Sequence, residues 1–234
     1  MSRLLALETA TSVASVALLV DGGLVAEHTA DSSEDHAATL LPTIESLLDQ
    51  AGVAPDEIDA FALSIGPGSF TCLRIGLATV KGLAFGSDRP VAAVSTLAAL
   101  AWSTGHEGVL VPLLDARRGE VYAGVYERKG DILQERLGDG CYRAEQLAEL
   151  VRPPLLLVGE GAPLVAPLLE RRLGSDVVRE PGAPRRPKAA AVAALGARCL
   201  EAGDGVAAHQ LVPRYVRRPE AEVLRTRRRF EGSA

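Results

Sequence analysis

Ala60-Phe61-Ala62-Leu63-Ser64-Ile65-Gly66-Pro67-Gly68-Ser69-Phe70-Thr71 carries an apolar strand into a Gly-Pro-Gly turn and out into a helix. Pro67 fixes one dihedral pair of that turn, and Gly68 is expected to take the positive φ that a side chain resists. Ser69 or Thr71 offers a hydroxyl to cap the helix that follows, over about residues 71–85. Strand, glycine turn and helix start also point backbone N–H groups at any anion placed there. A structural turn is the stronger reading. The GxxxxGK[ST] spacing is missing, and the first lysine, Lys81, lies well inside the helix.

Upstream, residues 4–8, 13–20 and 24–29 read as three strands, the last two joined by the turn residues Asp21-Gly22-Gly23. Ser32 and Asp35 have capping-box spacing ahead of a helix over about residues 35–51. In that helix Leu40, Ile44, Leu47 and Ala51 recur at helical spacing until Gly52. Downstream come a strand at 90–94 and a helix from Thr96. The second half opens near Gly108 with strands at 109–114 and 121–126 around Arg117-Arg118-Gly119, a shortened echo of the first hairpin. A helix at 143–151, a strand at 155–158 and helices at 163–173 and 188–202 follow. Two related α/β lobes are expected, residues 1–107 and 108–218, with an arginine-rich tail over 219–234.

At 234 residues, 47% hydrophobic and only 4% aromatic, the core has to be built from Ala, Leu and Val. No run of about 20 apolar residues exists to span a bilayer, and the apolar stretch near Met1 is too short for an export signal. Three cysteines, Cys72, Cys141 and Cys199, lie far apart with no CxxC, which fits reduced thiols in a cytoplasmic protein. The net charge of −5 argues against wholesale attraction to nucleic acid, but seven arginines from Arg214 to Arg229 face three glutamates in the last 22 residues.

The helix after the turn has two apolar stripes. Leu73, Leu77, Val80 and Ala84 form one; Cys72, Gly76, Thr79 and Leu83 form the other, where small residues let a second helix approach. The first helix is similarly broad, with Leu41 and Leu48 outside its main stripe. Burial within the chain explains such breadth, and so does a protein-binding surface made of Leu41, Ile44, Leu48, Cys72, Leu73, Gly76, Leu77, Thr79, Val80 and Leu83.

The run Gly66-Pro67-Gly68-Ser69-Phe70-Thr71-Cys72-Leu73-Arg74-Ile75-Gly76 resembles the GPGSFTGLRIG signature of the bacterial TsaB family. Leu5-Ala6-Leu7-Glu8-Thr9-Ala10-Thr11, His36 with Leu40-Leu41-Pro42, Ser95-Thr96-Leu97, Asp115 to Tyr122 and Pro213-Arg214-Tyr215-Val216-Arg217 extend the likeness over nearly the whole chain. Cys72 stands where the family has Gly, and Glu8 where it has Asp. The resemblance implies an actin, sugar-kinase and Hsp70-like α/β fold: two ribonuclease-H-like lobes with mixed sheets flanked by helices. It also implies a non-catalytic scaffold in the complex that forms N6-threonylcarbamoyladenosine at adenosine 37 of tRNAs reading codons that start with A. The implied partners are a TsaD-like transferase, paired through the N-terminal helices, and a TsaE-like ATPase. The tRNA is met indirectly, through the complex, and a homodimer of the isolated chain stays open.

Autonomous chemistry has less support. ATPases of this fold carry an Asp and glycines in the first hairpin, whereas Glu8-Thr9-Ala10-Thr11-Ser12 has no glycine and a longer acid. Asp115 and the pair Gly159 and Gly161 occupy the places of the second phosphate loop and the adenosine contact. With Glu8, Thr9 and Thr11 they make at most a degenerate nucleotide site; a hairpin turn is the stronger reading of Asp115, and a βα turn explains Gly159 and Gly161 equally well. No cofactor is expected, ATP or ADP entering only at the interface with the partner. His28, His36, His106 and His209 have no metal-ligand spacing. The alternative function is an actin-like-fold ATPase or small-molecule kinase acting alone.

Overall fold

The computed structural model describes residues 2–30, 36–179 and 182–217. The Ser32 and Asp35 capping box and the arginine-rich tail from Arg218 onward lie outside the described residues.

Two mixed sheets share one strand order. In the first lobe β1 (Arg3–Glu8), β2 (Ser15–Val20) and β3 (Gly23–Thr29) form an antiparallel meander, followed by α1 (His36–Ala51), β4 (Ala60–Ser64), α2 (Phe70–Leu83), β5 (Pro90–Val94) and α3 (Thr96–Trp102). The second lobe runs β6 (Gly108–Asp115), β7 (Val121–Lys129), β8 (Ile132–Tyr142), α4 (Ala144–Leu150), β9 (Leu155–Val158), α5 (Ala162–Leu173) and β10 (Val177–Arg179), after which come α6 (Ala189–Glu201) and β11 (Val206–Ala207). The first sheet is ordered β11-β5-β4-β1-β2-β3 and the second β10-β9-β6-β7-β8. In each, a central strand pairs antiparallel with the next strand in sequence and parallel with the strand after the first helix. The two halves are therefore repeats of one βββαβαβ unit, complete in the second half as well as the first.

Alternation along β1 separates two layers. Leu5 and Leu7 point into a leucine-rich core with Leu40, Ile44, Leu47 and Val80 of α1 and α2. Leu4 and Ala6 point the other way, with Ala17, Ala62 and Ala92, against Ala189, Val192 and Ala193 of α6. That face is small because α6 lies close: a Cβ on Gly196 would overlap the Ala62 methyl. The expected boundary therefore needs correction. α6 and β11 come after the second lobe in sequence yet pack on the first sheet, so residues 189–207 belong to the first lobe, not to a lobe spanning 108–218. The apolar period of α6 says only that one face is buried, not which sheet buries it.

The lobes meet at α3. Leu97, Leu100 and Ala101 pack with Leu110, Leu114 and Tyr126 of the second sheet, while Ala99 joins the alanine face of the first. Trp102, at the end of α3, lies between two guanidinium groups, Arg128 of β7 at 4.1 Å and Arg198 of α6 at 4.3 Å from the ring centroid. No described helix is long and apolar enough to cross a membrane.

Candidate functional site

The Gly-Pro-Gly turn is wedged between three segments. Gly66, not Gly68, has the positive φ, at 121°, before a cis Pro67. A Cβ on Gly66 would come within 2.5 Å of Arg214 O, and one on Gly68 would overlap the backbone oxygen of Ala10. Ser69 N donates to Ala10 O at 2.8 Å, Thr96 N donates to Gly66 O at 2.9 Å, and Arg214 N donates to Ile65 O at 2.7 Å. Both glycines are thus needed for close approach, but for different reasons: one for its dihedral angle, the other for lack of a side chain. Ser69 is the cap of α2, its Oγ accepting from Cys72 N at 3.5 Å.

Beneath this turn lies a buried polar cluster. Glu8, Thr9, Ser64 and Thr96 are all fully buried. Glu8 Oε1 accepts from Ala10 N at 2.7 Å. Burial pushes the Glu8 carboxyl up to about 7, against the opposing pull of the nearby Ser64 hydroxyl and the Ala10 amide. Ser64 Oγ and Glu8 Oε2 still fall short of hydrogen-bond geometry, and Thr9 Oγ1 and Thr96 Oγ1 are also without partners. The expectation that Glu8 and Thr9 sit at a nucleotide site is corrected: both point into the core, the Thr9 side chain against Gly76 of α2. Thr11 reaches the cleft wall, and its carbonyl lies 2.9 Å from His36 Nε2. Gly159 and Gly161 do not line the cleft either; Gly159 presses on the backbone of Leu113 and Gly161 on that of Leu113 and Leu114, which makes them packing glycines of a βα turn. With no carboxylate reaching the cleft from the first hairpin and Gly68 closed onto Ala10, these residues do not fit a metal-bound nucleotide.

The cleft itself, about 760 Å³, lies between the lobes. Thr11, Ser12, Gly68, Phe70 and Cys72 line it from the first lobe, and Asp115, Arg117, Arg118, Tyr122, Glu160, Arg185 and Arg186 from the second. The segment after β11 closes one side. Arg214 reaches the buried Asp139 carboxylate at 3.2 Å, which also accepts from Ser95 Oγ at 2.7 Å and from Tyr126. Tyr215 stacks on Phe70, ring centroids 5.1 Å apart, and accepts from Arg74 Nε at 3.1 Å. Arg217 Nη1 donates to Ala116 O at 3.1 Å and pairs with Glu120 at 3.2 Å. One short segment thereby ties the turn and α2 of the first lobe to β8 and the β6–β7 hairpin of the second. Burial raises the Tyr122 phenol above its ordinary range. Among the described residues no three His, Cys, Asp or Glu side chains converge as metal ligands would.

On the opposite side of the turn, α1 and α2 lie side by side. Of the residues assigned to a partner surface, Ile44, Leu48, Leu73 and Val80 are buried in the first lobe's own core, and Gly76 is buried against Thr9 and Leu63. These five are corrected from surface to core: the second stripe of α2 is in part the seat for Thr9, just past β1, and for Leu63 of β4. Leu41 is about half exposed, and Cys72, Leu77, Thr79 and Leu83 are half-buried. Cys72 faces the cleft rather than the α1 side. Phe85, just past α2, is 89% exposed and was not anticipated. Arg185, Arg186 and Glu160 were also missed, since they sit in irregular segments with no period to mark them.

The family model described as TsaD, tRNA N6-adenosine threonylcarbamoyltransferase, matches residues 13–223. The tRNA threonylcarbamoyladenosine biosynthesis protein TsaB of Bacillus subtilis is 33% identical over 223 residues, 94% of this chain and 96% of the relative. Its namesake in Escherichia coli is 34% identical over 157 residues, 66% of this chain and 64% of the relative. The solved structure of YeaZ from Pseudomonas aeruginosa superposes with a TM-score of 0.79 at 36% identity, covering 92% of this chain and all of that one.

Proposed function

The chain belongs to the TsaB family, within the tRNA threonylcarbamoyladenosine pathway and the actin-like fold, and from that premise we propose that it is a non-catalytic cytoplasmic scaffold. It pairs through α1 and α2 with a TsaD-like transferase, in a complex that a TsaE-like ATPase joins. Any ATP or ADP is held at the interface with the partner, not by this chain alone. The observation that carries the reading is the fate of Glu8. The acid that would serve ATP chemistry is fully buried beside Ser64 and the Ala10 amide, so the first hairpin sends no carboxylate into the cleft. Leu41, Leu77, Thr79 and Leu83, with Phe85 beyond them, leave apolar surface on the helix pair.

The test is assembly. Mixed with a TsaD-like partner, the wild-type chain is expected to elute as a heterodimer in size-exclusion chromatography with light scattering. Leu41→Glu, which buries no charge in this chain, is expected to weaken pairing by about tenfold or more. A wild-type chain that stays apart from the partner at roughly 50 μM, well above ordinary specific affinities, sinks the reading.

A further inference from the structure

We propose that the cleft between the lobes is a phosphodiester-binding site that grips the backbone of the tRNA, an inference that rests on the pathway assignment above and gives this chain direct contact with RNA. Five arginines line the cleft, Arg117, Arg118, Arg185, Arg186 and Arg217, against two carboxylates, Asp115 and Glu160. On a chain of net charge −5 that is a concentrated reversal of sign. Glu160 is already held by Arg186 at 3.0 Å, Arg217 is paired with Glu120 at 3.2 Å, and Asp115 reaches the 87% exposed Arg117 side chain only at 3.9 Å. The balance facing a ligand is positive.

The hairpin that presents two of these arginines is built at a conformational cost. Arg117, Arg118 and Gly119 have φ of 66°, 58° and 75°, and Glu120 N closes the turn onto Arg117 O at 3.1 Å. Gly suits such a position and Asn tolerates it, but arginine does not favour it. Two consecutive arginines are a poor choice for such backbone, and the same turn places their guanidinium groups at the cleft. Guanidinium groups match phosphate oxygens in pairs, and Tyr122, which shares the cleft, offers a ring to an unstacked base. A free nucleotide is the less suitable ligand, because the first hairpin sends no carboxylate into the cleft to hold its metal ion.

The experiment separates the turn's fold from its charge. In the full chain, Arg117→Asn with Arg118→Asn keeps a residue type that tolerates positive φ, so the thermal midpoint is expected to hold or rise. Binding of a fluorescein-labelled unmodified tRNA transcript, followed by anisotropy across a salt series in complex with the TsaD-like partner, is expected to weaken about tenfold or more. The slope of log affinity against log salt should fall by roughly one to two. Arg227→Gln, Arg228→Gln and Arg229→Gln together are the comparison arm. Unchanged affinity and slope in the Arg117/Arg118 variant overturns the proposal, as does a loss confined to the Arg227–Arg229 variant. Displacement of the tRNA by millimolar ATP from the wild-type complex but not from the Arg117/Arg118 variant also overturns it, in favour of a nucleotide. Pairing is measured on the same samples. Cleft-dependent tRNA binding by a chain that fails to pair supports the site and sinks only the scaffold reading.

Discussion

Glu8→Gln is expected to make the protein markedly more stable than wild type above pH 7 and to leave it little changed near pH 4. In the unfolded chain this carboxyl ionises near its ordinary value of 4.5; in the fold, burial holds it at about 7. Below pH 4.5 both states are protonated and the group's contribution is fully present. Between 4.5 and 7 the unfolded state releases its proton while the folded state keeps it, so stability falls as pH rises, and above 7 the loss is complete. The shift corresponds to about 3 kcal/mol. Glutamine keeps an oxygen for the Ala10 amide and puts an NH₂ where the protonated acid carries its hydrogen, toward a cluster with unpartnered hydroxyl oxygens on Ser64 and Thr96. Urea unfolding of both proteins from pH 4 to 8.5 checks this. Parallel curves for the two would show that Glu8 ionises freely in the fold.

Gly68→Ala is the second large effect, a loss of about 2–3 kcal/mol, at the upper end of overpacking costs. Nothing about the backbone angle forbids alanine at this position; the obstacle is the Ala10 carbonyl and methyl, which a new Cβ would overlap. Backbone cannot turn aside as the end of a long side chain can, so either the Ser69 N–H bond to Ala10 O breaks or α2 shifts as a body. Gly82→Ala, in the same helix with nothing within 4 Å of the new atom, should instead gain up to about 1 kcal/mol from helix propensity. Denaturant midpoints of opposite sign for the two glycines are the expected result. Two neutral outcomes would mean that the turn has more room than its contacts indicate.

Why the turn was legible and its surroundings were not follows from where the information lies. Strand, Gly-Pro-Gly and helix are local, and α2 starts at Phe70, one residue before the expected Thr71, with Ser69 as its cap. β8 escaped because Ile132–Tyr142 is an edge strand, half exposed, carrying Gly138 and Gly140 and an irregular register with β7, so its apolar alternation is diluted. Missing it made the second lobe look like a shortened echo when its topology is a full repeat. The second stripe of α2 was visible, but periodicity cannot tell a neighbour in the same chain from a partner: Gly76 proved to be the seat for Thr9. The glycine-poor first hairpin did announce that nucleotide chemistry would suffer. That Glu8 would leave the cleft altogether depended on the depth of β1 within the sheet, which no local pattern encodes.

The placement of α6 bears on how the molecule is made. Ribosomes deliver the first lobe's strands early, yet the alanine face formed by Ala6, Ala17, Ala62 and Ala92 finds its cover only when residues 189–201 emerge, after every strand of the other sheet. The later-encoded lobe, contiguous in sequence, can close as soon as it is synthesised. The order of completion is therefore the reverse of the order of translation, and a nascent chain stalled anywhere before Ala189 displays an apolar sheet face that its own sequence cannot yet hide.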